Sequence, residues 1–351
     1  MMKNKRPIKG ANQSAGQMSG KPPVMRSSRK TRKFKVWLYS LAGLILVISL
    51  VLYYLPLIRT RDTKINLLQH QVTPELIARG EYLANHVTIC MDCHGERDWT
   101  RYSGPPVQGT AGTGGEIFNQ QMGFPGVFYA KNITPGHLGN WTDDQLLRAF
   151  TTGVKPDGEV LFPVMPYPYY RHLDPTDAAA IIAYIRTLKP SNKQTPERSI
   201  DFPMNLLLRL IPKSADFKPM PPKTDQVAYG GYLTTIAGCA ECHTPANHGQ
   251  IDQSRLFAGG RLFKMPGGDL YSSNITPDSI EGIGRWTADN FVAKFKFFAD
   301  SSHLGHIGPG AQNTIMPWSM YSGMDSTDLA AIYAYLRSLP AKKSTAMLAE
   351  R

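Results

Sequence analysis

Two copies of the pattern Cys-x-x-Cys-His use every cysteine in this chain. They are Cys90-Met-Asp-Cys93-His94 and Cys239-Ala-Glu-Cys242-His243. This spacing is typical of covalent haem attachment, in which two thiols form thioethers with the haem and the next histidine binds its iron. A chain with two such motifs has to fold around two large planar groups, and it keeps no thiol for a disulfide. The expected attachment sites of two haem c groups are Cys90, Cys93, Cys239 and Cys242.

Paired Cys-x-x-Cys motifs also form zinc sites, which is the alternative interpretation. The haem interpretation is favoured because both pairs carry the following histidine. The two pairs also lie 149 residues apart, each with its own helical surroundings.

The two motifs belong to two versions of one repeated unit. Asn132-Ile-Thr-Pro135 recurs as Asn274-Ile-Thr-Pro277, and the segment 165–188 matches 316–339 without a gap at a constant offset of 151. A repeat of this kind defines the domains, because each copy is one structural unit. We therefore expect two similar small domains, each built around one haem.

A methionine followed by proline stands at a similar distance after each motif. Met165 lies 75 residues after Cys90, and Met316 lies 77 residues after Cys239. A thioether is a soft iron ligand, and a His/Met pair raises the haem potential relative to two nitrogen ligands. The expected axial pairs are His94 with Met165 and His243 with Met316.

Other histidines and methionines compete for these roles. His172, His303 and His306 lie near the two methionines, but none recurs at the aligned position of the other repeat. We expect them in loops or beside the haem propionates. Four repeated side chains either bind the propionates or order their loops: Asn132, Trp141, Asn274 and Trp286. Four methionines lack the repeated Met-Pro-helix context: Met122, Met265, Met320 and Met324.

The positive charge of the chain lies almost entirely at its N-terminus. The formal net charge is +12, and residues 1–35 contain eleven Lys and Arg without one acid, which leaves only +1 for the rest. A nucleic-acid surface is therefore not expected. Residues 36–58 follow as 23 positions without a charge, long enough to cross a bilayer.

The basic flank predicts a cytoplasmic N-terminus and haem domains outside, in the periplasm of a bacterial inner membrane. A cleaved signal peptide is the alternative, but Pro56-Leu-Ile-Arg59 offers no small-residue cleavage site. The expected organisation is a basic tail at 1–35, an anchor at 36–58, a first domain at 71–190, a linker at 191–226, a second domain at 227–340 and a tail at 341–351.

Helix signals dominate both repeats, and the fold class is mainly α. Thr73-Pro74 and Asp174-Pro175 predict helix N-termini with a capping side chain and a proline in the first turn. The residues at 181, 184, 185 and 188 form one apolar helix face. The linker contains a short apolar helical stretch at 206–211, and no alternation is strong enough to predict a sheet. We expect a transmembrane helix followed by two tandem class I-like cytochrome c domains.

As a set, these motifs resemble the multi-haem cytochrome c subunits of membrane-bound bacterial alcohol and gluconate dehydrogenases. The resemblance covers residues 71–340 and includes Gly139-Asn-Trp141-Thr142 with its repeat at Gly284-Arg-Trp286-Thr287, and the linker Asp201-Phe-Pro-Met-Asn205. It implies the same thioether sites and His/Met pairs that the motifs predict. Those subunits usually carry three haems and often a C-terminal anchor, whereas this chain has two motifs and an N-terminal span.

The resemblance implies an electron relay, not an enzyme with its own small-molecule substrate. Electrons would come from a membrane-associated dehydrogenase and pass to quinone or a terminal oxidase, and no catalytic residue is assigned. Two alternatives remain. One is a cytochrome c subunit of a haem–copper oxidase, and the other is a dihaem peroxidase, which would need an open iron position.

Overall fold

The computed structural model describes residues 29–61, 71–247 and 249–344. Most of the basic tail predicted at 1–35 and the end of the tail predicted at 341–351 lie outside these residues. The chain divides into an N-terminal unit that ends at Leu50 and a larger unit that begins at Val51. Both haem motifs belong to the larger unit.

The N-terminal unit contributes most of helix α1, Arg29–Thr60. Its segment Thr31–Thr60 is long and apolar enough to cross a membrane. The helix extends beyond the predicted span of 36–58 at both ends, because Lys and Arg are good helix formers. From Phe34 to Leu50 its large apolar side chains are exposed.

Each repeat consists of three longer helices and several short ones. In the first repeat they are α2 (Pro74–Tyr82), α3 (Cys90–Cys93), α4 (Pro135–Leu138), α5 (Asp143–Thr152), α6 (Tyr167–Tyr170) and α7 (Pro175–Thr187). The linker holds α8 (Met204–Leu207), continued by a 3-10 turn at Leu208–Leu210. The second repeat has α9 (Gln226–Ile236), α10 (Cys239–His243), α11 (Ala288–Lys296), α12 (Trp318–Tyr321) and α13 (Ser326–Ser338).

The predicted helix starts and the apolar face are confirmed. The Thr73 hydroxyl accepts a hydrogen bond from Leu76 N at 3.2 Å, and the Asp174 carboxylate accepts one from Thr176 N at 2.7 Å. These caps satisfy N–H groups that the first helical turn leaves without partners. On α7, Ile181 and Ile185 are buried and Tyr184 is partly buried, and Leu188, just after the helix, is buried as well.

Short antiparallel strands occur in the loops, although the sequence predicted no sheet. They are β1 (Ile117–Phe118), β2 (Gly126–Tyr129), β3 (Ser199–Ile200), β4 (Ala246–Asn247), β5 (Gln250–Ile251), β6 (Leu262–Met265) and β7 (Gly268–Tyr271). They pair as β1-β2-β3, β4-β5 and β6-β7. Strands of two to four residues are too short to show the alternation on which a sequence prediction depends.

In each repeat a glycine lets the first helix touch the last. A Cβ atom on Gly80 would lie 1.9 Å from the carbonyl oxygen of Ala180, and one on Gly230 would lie 1.8 Å from that of Ala331. The helix pairs α2–α7 and α9–α13 therefore cross at backbone contact. This contact explains why both repeats carry a glycine two residues before a Tyr-Leu pair.

A π-helical turn distinguishes the first repeat from the second. Helix α2 runs into this turn at Leu83–Val87, whereas α9 stays regular over the equivalent positions. Cys90 lies seven residues after Leu83, but Cys239 lies six after Leu233. The wider turn absorbs the extra residue, as π-bulges do.

Two buried carboxylates join the repeats. The carboxylate of Asp177, on α7, accepts hydrogen bonds from Nε and Nη2 of Arg79 at 2.9 Å each. It accepts a third, at 2.6 Å, from the hydroxyl of Tyr232 in the other repeat. The Asp177 side chain is only 4% exposed. Three charge-assisted hydrogen bonds, two from Arg79 and one from Tyr232, compensate the burial of the carboxylate.

Asp328, on α13, forms the equivalent junction in the opposite direction. The hydroxyl of Tyr82 from the first repeat donates to its Oδ2 at 2.8 Å, and that of Tyr229 donates at 3.1 Å. Lys223 Nζ lies 3.4 Å from Oδ1. Each repeat thus supplies a carboxylate to the other repeat's tyrosine, which fixes how the two halves of this unit meet.

We expect Gly80→Ala and Gly230→Ala each to lower the free energy of unfolding by ~1–3 kcal/mol or more, because the added methyl group overpacks a helix crossing. In a helix without this close contact, Gly→Ala would raise the free energy of unfolding by ~1 kcal/mol, so the sign of the change shows whether the contact exists. Gly305→Ala is the control, since nothing lies within 4 Å of its Cβ position. Chemical denaturation of the solubilised protein, followed by circular dichroism, measures the difference. Unchanged stability in both variants would refute the close crossing.

Candidate functional site

One large cavity in the unit that begins at Val51 collects all the predicted site residues. Its volume is about 2940 Å³, well beyond the ~300–1,000 Å³ of a pocket for one small ligand. The predicted site residues that line it are Cys90, Cys93, His94, Met165, Cys239, Cys242, His243 and Met316. The two motifs therefore face one shared space.

Each haem motif starts from a residue in the left-handed backbone region. Ile89 has a φ of 45° and Gly238 a φ of 65°, and the short helices α3 and α10 begin immediately afterwards. Glycine adopts this conformation freely, whereas a β-branched residue is an outlier there. The turn places the two cysteines of each motif on the cavity wall.

The four cysteine side chains are partly exposed and line the cavity. Haem attachment would turn each thiol into a thioether, so their sulfur atoms mark where the two groups would be held.

Both motif histidines are oriented by a backbone carbonyl. His94 Nδ1 lies 2.7 Å from the carbonyl oxygen of Lys131, and His243 Nδ1 lies 2.7 Å from that of Ser273. A carbonyl only accepts, so Nδ1 carries the hydrogen and Nε2 keeps its lone pair for a metal. Burial lowers the pKa of both imidazoles, although the hydrogen bonds oppose it, which favours the neutral ligand form.

The repeated asparagines order the loops that carry these carbonyls. Asn132 Oδ1 accepts from the backbone N and the hydroxyl of Thr134, while its Nδ2 donates to Ser191 O at 2.8 Å. Asn274 forms the same turn with Thr276. The sequence left open whether these side chains bind propionates or order their loops, and their hydrogen bonds show the ordering role.

Four methionines besides Met165 and Met316 line the cavity: Met122, Met204, Met265 and Met324. Met165 and Met316 are each followed by proline and a short helix, α6 or α12, as the sequence predicts. Met265 also precedes a proline, but a hairpin turn follows it. The cavity alone thus leaves several candidate thioethers, and the repeated context distinguishes two of them.

The histidines that competed for the ligand role lie elsewhere. His172 Nδ1 is 3.3 Å from Asp216 Oδ2, and the ring of His303 stacks on Phe297 at 3.6 Å between centroids. The backbone of His306 forms an isolated antiparallel β-bridge with that of Arg101.

The structure adds one histidine that the sequence did not indicate. His137, on α4, lines the cavity. It gave no repeat signal, because Ser279 stands at the equivalent position.

A loop of the first repeat holds the methionine loop of the second. The Ser103 hydroxyl donates to Met316 O at 2.6 Å and accepts from Trp318 N at 3.0 Å. Ser103 N donates to the Asn313 carboxamide at 2.9 Å. Ser103 is fully buried and has a φ of 66°. We call this contact the Ser103 clasp.

The clasp connects back to the first haem motif. Arg97 donates to Ser103 O at 2.7 Å and to Gly104 O at 2.8 Å, and its Nη1 lies 3.0 Å from Asp92 Oδ2. Burial raises the pKa of Asp92 to about 6, against the effect of the Arg97 charge. A residue between the first pair of cysteines thus supports the backbone beside Met316.

Two equivalent tyrosines lie between the motifs. The Tyr170 hydroxyl donates to Thr88 O at 2.6 Å, and the Tyr321 hydroxyl donates to Ala237 O at 2.9 Å. Both bonds fix the chain just before a Cys-x-x-Cys-His motif. Burial raises the pKa of both tyrosines, so they stay neutral.

The zinc alternative has little geometric support. Within the ranges 29–61, 71–247 and 249–344, no three His, Cys, Asp or Glu side chains are arranged to hold a metal ion. A structural zinc site needs four such ligands together. The donor set around the cavity is instead one histidine and one cysteine pair per motif, together with thioethers, which fits haem c.

No protein-family model matches the chain. Curated relatives do. The cytochrome c subunit of the alcohol dehydrogenase (quinone) of Gluconobacter oxydans is 32% identical over 76% of this chain and 55% of its own length. The gluconate 2-dehydrogenase cytochrome c subunit of Pantoea cypripedii is 27% identical over 78% of this chain and 62% of its own length. The chain therefore spans little more than half of these relatives.

A third relative has a more similar size. The diheme cytochrome c-type protein of Cereibacter sphaeroides is 29% identical over 72% of this chain and 82% of its own length. Together with the two dehydrogenase subunits, it confirms the family that the repeated motifs indicate. The chain is a c-type cytochrome with covalently bound haem c, homologous to the cytochrome c subunits of bacterial alcohol and gluconate dehydrogenases.

Proposed function

We propose that the chain is a membrane-anchored dihaem cytochrome c that relays single electrons from a dehydrogenase to quinone or a terminal oxidase. The observation that carries the proposal is the shared cavity, because all eight predicted attachment and ligand residues line it. Residues 71–190 and 227–340 form the two haem domains. Residues 36–58 anchor them to the bacterial inner membrane, with the basic tail in the cytoplasm and the haems in the periplasm.

Haem c supplies reversible one-electron chemistry at iron, and the polypeptide sets the conditions for it. Cys90, Cys93, Cys239 and Cys242 would hold the two groups as thioethers. His94 with Met165, and His243 with Met316, would be the axial pairs. The carbonyls of Lys131 and Ser273 orient the two histidines.

A shared cavity supports electron transfer between the two haems. The two motifs face one space, and Tyr170 and Tyr321 lie between them. The dehydrogenase partner is supported by the names of the relatives, which are cytochrome c subunits of such enzymes. With His94 and Met165 holding one iron, and His243 and Met316 the other, neither iron would keep an open position, so the relay is favoured over a peroxidase.

Met165→Ala and Met316→Ala should each remove about half of the Met–iron charge-transfer absorption of the oxidised protein, because each would take the ligand from one of two haems. Met122→Ala and Met265→Ala are matched controls, since both methionines line the same cavity. Visible and near-infrared absorption of the purified full chain measures the band. A full band in Met165→Ala or Met316→Ala would show that the ligand is another residue.

Ser103→Ala should lower the free energy of unfolding by ~0.5–1.5 kcal/mol, because it removes the side-chain hydrogen bonds to Met316 O and from Trp318 N, which then keep only their bond to each other. We also expect part of the Met–iron band to disappear at a lower temperature than in the unaltered protein. Ser254→Ala is the control, because its hydroxyl bonds only locally to Asp252 on the surface. Identical melting of the band in both variants would exclude a role of the clasp at the second methionine.

Purification from native membranes in mild detergent tests the partner. We expect a flavin or quinoprotein dehydrogenase subunit in stoichiometric amount, identified by mass spectrometry. An oxidase core subunit in its place would contradict the proposed electron donor and support the haem–copper oxidase alternative.

A further inference from the structure

The linker between the repeats carries an apolar surface beside the end of helix α1. The exposed fraction is 80% for Phe202, 45% for Leu206, 47% for Leu207 and 45% for Leu210. Contiguous exposed apolar side chains of this kind mark an interaction site in a soluble domain. We call residues 202–211 the linker patch.

The linker patch has an inner face and an outer face. Leu208 is 2% exposed, and Met204, Leu207 and Ile211 line the haem cavity, so these four residues face inward and the exposed part of Leu207 faces the cavity. Leu206 and Leu210, one helical turn apart, point outward. The inner face of this stretch packs on the haem-bearing unit.

Contacts with α1 fix where the outer face lies. Arg209 Nη1 donates to Tyr53 O at 3.4 Å, and its guanidinium carbon lies 5.1 Å from the centre of the Tyr53 ring. Arg59 Nη1 donates to Leu210 O at 3.1 Å. The Ser214 hydroxyl donates to Arg59 O. The linker patch thus runs alongside the last turns of α1 instead of lying beyond its end.

The depth of this contact can be estimated from helix geometry. Tyr53 lies inside the predicted span 36–58 and six residues before Arg59, which is ~9 Å along the helix. Helices that lie in the membrane interface bury their apolar face by ~5–10 Å. A segment that touches Tyr53 is therefore at the level of the headgroup and acyl boundary.

The composition of residues 202–211 agrees with a position at the boundary of headgroups and acyl chains. Residues 202–211 contain no acid, and their one charge is that of Arg209. On α1 the neighbouring Tyr53, Tyr54 and Ile58 are also exposed, which continues the apolar surface. Arginine and tyrosine are typical of the interface, where an apolar stem and a polar end meet different media.

We propose that the linker patch inserts its outer face into the outer leaflet of the bilayer beside the anchor. It is then a second, monotopic membrane contact that seats the first haem domain on the membrane surface. This inference rests on the proposed anchor and extends it to a site in the haem-bearing unit. The partner of this outer face is lipid and not another protein, because the patch is continuous with the exposed surface at the end of the spanning helix.

The test is photo-cross-linking of the full chain in nanodiscs made with phospholipids that carry a diazirine on the acyl chain. We expect lipid adducts on peptides that contain residues 202–211 as well as on peptides from 36–58. Leu206→Ser combined with Leu210→Ser should reduce the linker adducts by about tenfold, equivalent to ~1.4 kcal/mol, and leave those on the anchor unchanged. Ile280→Ser is the matched control, because Ile280 is 75% exposed in the second repeat.

The outcomes separate this inference from the proposed function. Adducts on 36–58 without adducts on 202–211 would overturn the second contact while the anchor stands. Adducts on neither segment would overturn both membrane contacts. Equal labelling around Ile280, or cross-links from 202–211 to a co-purified protein, would also reject the lipid assignment. The haem absorption spectrum of every variant reports independently on the cytochrome itself.

Discussion

The buried carboxylates Asp177 and Asp328 determine how the two repeats meet, and the shared cavity depends on that arrangement. A carboxylate in an apolar interior loses several kcal/mol of hydration, which only well-placed partners restore. Each carboxylate accepts a hydrogen bond from a tyrosine of the opposite repeat, Asp177 from Tyr232 and Asp328 from Tyr82. If the repeats separated, both charges would lose a partner at once. The junction is therefore specific as well as stabilising, and it holds the walls of one cavity in register.

The two halves of this junction have diverged, and so have the two haem motifs. Asp177 is paired with Arg79, whereas Tyr229 occupies the equivalent position beside Asp328. The first motif follows a π-turn and starts from Ile89, while the second follows a regular helix and starts from Gly238. Hydrogen bonding and charge around a haem tune its potential. The different surroundings of the two motifs therefore favour different potentials at the two proposed haems.

Local chemistry made much of this architecture predictable. The caps at Thr73 and Asp174 and the apolar face of α7 depend on residues a few positions apart. The internal repeat made the two haem motifs and the two Met-Pro loops predictable as well. Features that depend on distant residues were not predictable. They include the short strands, the π-turn, the closeness of Met122 and Met265 to the cavity, and the Ser103 clasp, in which a single serine without a repeated counterpart meets a loop 213 residues away.

The Ser103 clasp has a consequence for how the two halves of the chain depend on each other. The loop that carries Ser103 is held by Arg97, which also pairs with Asp92 in the first haem motif. The second methionine loop therefore receives from the first repeat the three hydrogen bonds that Ser103 makes with Met316, Trp318 and Asn313. The dependence is mutual, since Tyr169, four residues after Met165, donates its hydroxyl to Glu241 in the second haem motif at 2.9 Å. Once cut from the first half, the second half of the chain would lose the hydrogen bonds that Ser103 gives to its methionine loop.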